Sequence, residues 1–399
     1  MGLLALAAVL FAALGDERDR VVLASGKELR GRILRVDEQE LVLRRSGRDQ
    51  EFTRKEVASF ESVGAALDAL LLEARPTRLA RKEELPARAE RARAAGLEGE
   101  AANLWWHLLL LEPEARAAHE ALGHKLRGGR HVVPLDGRAV DLAQRIELAK
   151  DWGSAWRFTS LHYELTTNLP LARALELGLD LERFYRAFFE LFGAELGLYE
   201  VCTPMKIHVH ADRASYPETA GENGRYEPEI DTVVVDASRG FQLATLVHEA
   251  THQLLFVTAF KERGGHGEIP PWLNEGLAEY VATSVLGAPP LVLEPGTPAL
   301  HHFHAHAESK SAHDLTRVLS FSTTDYQTSD DPALKYAQSY TLVHFLLHGE
   351  DGRHRAGFFA YLRLVYAGRG SSSDLKKCLD VDWKKLERAW SEYAEAQAR

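Results

Sequence analysis

The stretch "TLVHEATHQLLF" (245–256) sets His248 and His252 four residues apart, with Glu249 between them. On a helix that spacing puts both imidazoles on one face, one turn apart. They can then reach a single ion, with Glu249 displaced around the helix toward an open coordination position. A zinc held by three protein groups keeps a water in the fourth place and lowers its pKa to about 7. Glu249 would be the base that takes the water's proton. The competing reading is a helix whose histidines face solvent or bond locally. With 18 histidines in 399 residues, chance alone could produce the pentad.

Downstream, "IPPWLNEGLAEYVATS" (269–284) carries Glu275 and Glu279, which share a face if the segment is helical. A carboxylate brought from a second helix is what a His₂Glu site requires. Glu279, one turn further, can accept a hydrogen bond from the non-ligating nitrogen of a histidine, which fixes the tautomer. His266 lies in the Gly- and Pro-rich stretch "KERGGHGEIPP" between the two helices. A loop of that composition positions a ligand less well than a helix does.

"HEATH" followed by "WLNEGLAEY" resembles the gluzincin metallopeptidases, a group that includes thermolysin and aminopeptidase N. It is most similar to the bacterial peptidase MA-like proteins, with their Pro-x-Trp-Leu-x-Glu-Gly-x-Ala-Glu-Tyr string. The resemblance implies one catalytic Zn²⁺ bound by His248, His252 and Glu275, with Glu249 as the catalytic base. It gives Glu279 the histidine-orienting role and has Asn274 support the ligand helix. "KYAQSYTLVHFLL" (335–347) resembles the family's Tyr-Ala-Gln-Ser string. That implies Tyr336 as a hydroxyl donor to the oxyanion of the tetrahedral intermediate. Tyr340, one turn on, is the alternative, and core packing would equally account for either ring. The 22 residues between His252 and Glu275 exceed the spacing in thermolysin or the aminopeptidases, and a loop can absorb the surplus. No Gly-x-Met-Glu-Asn string occurs, so an endopeptidase fits at least as well as amino-terminal trimming.

The elements that must hold these residues follow from periodicity. Strand-like "WRFTSLHYELTTNLP" precedes a helical pattern from Leu171, then a strand at 205–211 and "DTVVVDA" at 231–237. Beyond these the chain reads as helices, so residues 150–399 are expected to form an α+β domain, of zincin-like type by the resemblance. Its final helix is expected to pack through Leu386, Trp390 and Tyr393, with Ser373 or Asp374 as a cap. Residues 16–62, with short apolar runs broken at Ser25-Gly26 and Ser46-Gly47, suggest a small SH3- or Sm-like β-barrel. Residues 63–137 suggest a short TPR-like helical region, with Trp105 and Trp106 in its core and 128–137 as a turn-rich linker. The tract 301–306 holds four histidines that could bind a metal, but without an acidic partner at fixed spacing it reads as a surface loop near the cleft.

Residues 1–15 form an apolar run ending in small side chains, as an export signal does. The expected location is therefore periplasmic or secreted, with no stable membrane span after cleavage. A net charge of −10 argues against nucleic acid as a partner. Cys202 and Cys378 have no zinc-framework spacing and could pair or stay reduced. The expected function is an exported zinc metallopeptidase acting on a peptide or protein, with any further protein partner met by the amino-terminal barrel or helices. The alternatives are a non-catalytic peptide- or envelope-binding protein on a zincin scaffold and, less directly, a zinc hydrolase of a non-peptide bond.

Overall fold

The computed structural model describes residues 18–73, 81–217, 223–261, 268–284, 298–328 and 331–399. The expected export signal at 1–15 and His266 lie outside them. Two compact units emerge. Among the described residues, the first comprises those within 18–189, 197–223 and 230–241, and the second those within 190–196, 224–229 and 242–399.

The first unit begins with β1 (Asp19–Leu23), β2 (Glu28–Val36), β3 (Glu40–Arg45), β4 (Arg48–Thr53) and β5 (Val57–Glu61). They make one antiparallel sheet in the order β4-β3-β2-β1-β5. Ser46 and Gly47, at φ 48° and 71°, form the two-residue turn that matches strand twist between β3 and β4. Register shifts at Ile33/Arg35 and Val22/Leu23 bend the sheet over a core of Val21, Leu29, Leu41, Leu43 and Val57. The expected barrel is not formed: among the described residues β4 and β5 both remain edges. β4 reads RDQEFT and is exposed along nearly its whole length, so it has no apolar face to bury against β5. A single turn at Arg54–Glu56, closed by Thr53 and Glu56, carries the chain across to β1 instead.

Helices α1 (Val63–Glu73), α2 (Leu85–Ala94), α3 (Glu98–Leu111) and α4 (Arg116–Ala121) follow. Their shared core contains Leu67, Ala89, Leu104 and Trp105, while Trp106 packs at its margin, edge-on to Trp156. The stretch 128–137, expected as a linker, instead supplies the turns of a three-stranded meander: β6 (Lys125–Arg127), β7 (Arg130–Leu135) and β8 (Arg138–Val140). Gly128-Gly129 and Asp136-Gly137 all have positive φ, the geometry of tight hairpins.

After α5 (Leu142–Leu148) come β9 (Trp156–Thr159), β10 (Tyr163–Thr167), α6 (Leu171–Leu196), β11 (Met205–His210), β12 (Gly224–Glu227) and β13 (Thr232–Asp236). β9 is antiparallel to β10, and β10, β11 and β13 run parallel. A parallel pair needs a crossover, which α6 provides between β10 and β11. Leu165, Ile207, Val209, Val233 and Val235 are buried, as are Leu175, Leu181, Phe184 and Phe188 of α6 at helical spacing.

A buried polar layer runs beneath this crossover. His162 Nδ1 lies 2.6 Å from Glu182, and Glu100 accepts the Leu161 N–H at 2.7 Å. Burial, then the Glu182 charge, push the Glu100 carboxyl up to about 7. The folded state therefore holds the Glu100 proton more tightly than the unfolded chain does. Its contribution to stability is present below the ordinary carboxylate pKa and is lost as pH rises through about 7. Glu100→Gln cannot ionise and keeps the acceptor oxygen, so its melting temperature is expected to gain on wild type between pH 5 and pH 8. A constant difference across that range would refute the assignment.

The second unit is mainly helical: α7 (Leu243–Phe256) with a π turn at Val257–Lys261, α8 (Pro271–Ser284), α9 (Leu300–Ala307), α10 (Leu315–Leu319), α11 (Thr323–Thr328), α12 (Pro332–Gly352), α13 (Arg355–Tyr366), α14 (Ser372–Leu379) and α15 (Trp383–Gln397). β12 is grouped here and packs on α7. Nearly every residue of α12 from Leu334 to Leu347 is buried, which marks a central helix wrapped by others. It packs on α8, α9, α11, α13 and α15, and its regular geometry breaks at Gly349–Asp351. Ser371, not Ser373, caps α14, and Asp374 returns the bond. Leu386 and Trp390 are buried on α15, and Tyr393 donates toward or accepts from His344 at 2.9 Å.

The molecule is thus a mixed α/β protein of several sheets and many helices. Among the described residues no helix is long and apolar enough to cross a membrane. Neither Cys202 nor Cys378 forms a disulfide.

Candidate metal centre

α7 buries Leu246, Val247, Ala250, Thr251, Gln253, Leu254 and Leu255. The opposite stripe, with His248, Glu249 and His252, is left half-buried. The apolar residues thus dock the helix and leave the polar trio partly accessible. α8 starts on Pro271, where a missing N–H costs nothing, and the Pro270 carbonyl accepts from Leu273 and Asn274, both at 2.9 Å. Asn274 sits in this first turn, half-buried, directly before Glu275.

Gly276 explains how α8 comes so near α12. A Cβ there would lie 2.6 Å from the Ser339 carbonyl oxygen and 2.8 Å from Val343 Cγ2. Only glycine permits that approach. It fixes the helix carrying Glu275 against the helix carrying Tyr336.

The result is a triangle of donor atoms. His248 Nε2 and His252 Nε2 are 3.1 Å apart, and Glu275 Oε2 lies 3.3 Å from the first and 3.5 Å from the second. Ligands at about 2.0–2.1 Å from a tetrahedral ion sit roughly 3.3–3.4 Å from one another. The observed edges fit that figure. Glu275 Oε2 is buried and, among the described residues, makes no hydrogen bond despite these contacts, so it is an acceptor with no aligned donor there. His248, His252 and Glu275 form the group among the described residues that could hold a metal ion.

The electrostatics favour a cation. Burial alone would keep His248 neutral, but Glu275 and Glu279 outweigh it and raise its pKa well above the usual imidazole range. His252 is raised in the same way, chiefly by Glu275. Burial opposes ionisation of Glu275, yet the two histidines hold it down to about 2. Glu279, against burial, is held well below the usual carboxylate range by His248 and His302. Positive charge is therefore stabilised where the three donor atoms converge.

Glu279 is the hub behind the triangle. Its Oε1 is 3.1 Å from His248 Nδ1, and its Oε2 is 2.9 Å from His302 Nε2. His248 can thus donate from Nδ1 and leave Nε2 bare for a metal. Glu279→Gln is expected to weaken metal binding by about 10–100-fold without loss of fold. Competition against a chelating dye measures this, and an unchanged affinity would remove Glu279 from the role.

The tract 301–306 is not a surface loop but part of α9, with His302 and His306 buried and His301 and His304 outside. His306 Nδ1 meets Thr341 Oγ1 at 2.8 Å. His302, which sequence reasoning did not single out, completes the line His302–Glu279–His248. The i, i+4 spacing of His302 and His306 around Phe303 was the available signal for an inward face.

Tyr336 is half-buried, with its ring centroid 6.1 Å from that of His248. Burial, then Glu275, Glu249 and Glu279, keep its hydroxyl protonated far above the ordinary phenol range. Tyr340 is fully buried and differently employed: its hydroxyl accepts the Ala299 N–H at 2.9 Å, and its ring packs 4.7 Å from His302. Of the two, Tyr336 is the one beside the triangle.

A family model described as "Protein of unknown function (DUF1570)" matches residues 242–366. That span opens one residue before α7 and closes at the end of α13. It contains the triangle, Glu249, Glu279, His302 and Tyr336. No curated protein matches the chain.

Proposed function

We propose that the chain is a zinc-dependent metallopeptidase of gluzincin type, with a zincin-like domain over residues 150–399 and Zn²⁺ bound by His248, His252 and Glu275. The observation that carries the reading is the donor triangle, with Glu249 next to His248 on the same helix and Tyr336 beside it. Zn²⁺ in that position supplies Lewis acidity toward a water and a peptide carbonyl.

The protein's own groups perform the remaining work. Glu249 takes a proton from the attacking water as its oxygen bonds to the carbonyl carbon. When the C–N bond breaks, the same carboxyl delivers that proton to the departing nitrogen. Tyr336, protonated at every working pH, donates toward the negative oxygen that develops between these steps. Glu279 keeps His248 in one tautomer throughout, with His302 holding Glu279. The substrate is a peptide or protein, the site of action is outside the cytoplasm, and the amino-terminal sheet and helices are the surfaces for any protein partner.

Glu249→Gln is expected to lower peptide hydrolysis about 10²–10⁴-fold while leaving metal content unchanged. The test is metal analysis of both proteins and digestion of a mixed peptide library by each. A wild type that binds metal but cleaves nothing the variant spares would leave a non-catalytic binding protein. A wild type that binds no metal would end the whole reading.

A further inference from the structure

Arg32, on β2 in the first unit, is only 4% exposed. Among the described residues its guanidinium nevertheless makes no hydrogen bond and no ion pair, and its Nε is enclosed without a partner. It lines a cavity of about 210 Å³, together with Arg35, Arg186, Asp19, Asp68, Glu200 and the first turn of α1.

The other charges on this wall are committed. Asp19 accepts the Ile33 and Val63 N–H groups at 2.6 and 2.7 Å. Arg186 places Nε 2.6 Å from Asp68 and Nη1 2.9 Å from Glu200, whose second oxygen takes the Tyr185 hydroxyl at 2.9 Å. Arg35 pairs with Glu40. Burial opposes the Arg32 charge, and the through-space pull of Asp19 and Glu200 sustains it. A charged, buried donor fork is left with nothing to donate to, an arrangement that is costly unless an acceptor completes it.

The cavity offers a second attraction for an anion. α1 is eleven residues long, and Ser62, Gly64 and Ala65 of its amino-terminal end line the cavity. The partial positive charge of a helix start therefore acts on the same space as Arg32. Three carboxylates on the wall disfavour a dianion, while a planar monoanion matches the guanidinium fork. Ile33 and Phe60 supply apolar wall for a small substituent.

We propose that this cavity binds the carboxylate of a small organic acid, with Arg32 as its principal partner. The group could belong to a free acid or to the carboxyl terminus of a peptide, and both present the same chemistry to Arg32. The proposal is independent of the metal centre.

Calorimetric titration of the full chain with benzoate, N-acetylphenylalanine, N-acetylphenylalanine amide and inorganic phosphate tests it. Benzoate is expected to bind, the amide is not, and binding of N-acetylphenylalanine would add peptide termini to the ligand class. Arg32→Gln is expected to weaken binding about tenfold to a hundredfold, the loss of a charge-assisted hydrogen-bonded pair. Should that variant fail to fold, Gly64→Leu carries the test. A Cβ at Gly64 meets nothing nearer than Ser62 Oγ at 4.0 Å, so the added side chain occupies cavity space without displacing backbone. Failure of both acids to bind, binding of phosphate alone, or undiminished binding in the folded variants would overturn the proposal.

Discussion

Glu275→Gln is expected to reduce bound metal from one ion per chain to background, and hydrolysis with it. The glutamate supplies the negative charge of the triangle, at 3.3 and 3.5 Å from two imidazole nitrogens. An amide oxygen has the same reach but no charge with which to hold a divalent ion between two neutral rings. Without metal, the wild-type carboxylate also balances the histidines that it draws toward the protonated form. Stranding a buried charge costs about 3–5 kcal/mol, which the variant avoids because Glu279 still faces His248 and His252 loses the carboxylate that chiefly draws it toward the protonated form. The variant therefore folds but is blind to chelation. Wild type at metal concentrations 100 times the dissociation constant gains about 2.7 kcal/mol from binding, and a chelator removes that gain. The check is a thermal melt of each protein with and without EDTA, beside elemental analysis. A chelator-sensitive variant with stoichiometric metal would exclude Glu275 as a ligand.

Gly276→Ala is expected to be a strongly disruptive single-methyl change in the second unit. The new Cβ overlaps the Ser339 carbonyl oxygen at 2.6 Å, a backbone atom that no rotamer change can move aside. Overpacking of this kind costs typically 1–3 kcal/mol. The strain is relieved by parting α8 from α12, which draws Glu275 away from the two histidines. Lower stability should thus come with weaker metal binding, whereas an ordinary core mutation would lower stability alone. Denaturant unfolding and metal competition on the same sample separate the two. A variant of wild-type stability would show that the two helices are less closely apposed than their contact distances state.

The parts of this arrangement that were legible in the sequence are those written in local spacing. His248 and His252 one helical turn apart, Glu275 and Glu279 likewise, and the β9–β10–α6 succession are each patterns within one segment. Segment-to-segment facts were not available in that way. His302 was passed over because its acidic partner, Glu279, lies 23 residues earlier and only helix packing joins them. The sheet of residues 19–61 was expected to close because its strand count suits a barrel. What decides closure is the side-chain character of β4 and the short turn to β5. The stretch 128–137 reads as turn-rich, but the positive φ values of Gly128-Gly129 and Asp136-Gly137, which make hairpins there rather than a linker, are backbone facts. The lone guanidinium of Arg32 is visible only once every neighbouring charge has been assigned its partner.

The close seat of Gly276 on Ser339 has a mechanical consequence. Glu275 precedes the contact by one residue on α8, and Tyr336 precedes it by three on α12. Backbone touches backbone there, so neither helix can slide or roll past the other without breaking the seat. The spacing between the carboxylate and the phenol is therefore held as by a pair of callipers locked at the pivot. Any breathing that admits or releases a bound chain must come from elements other than these two.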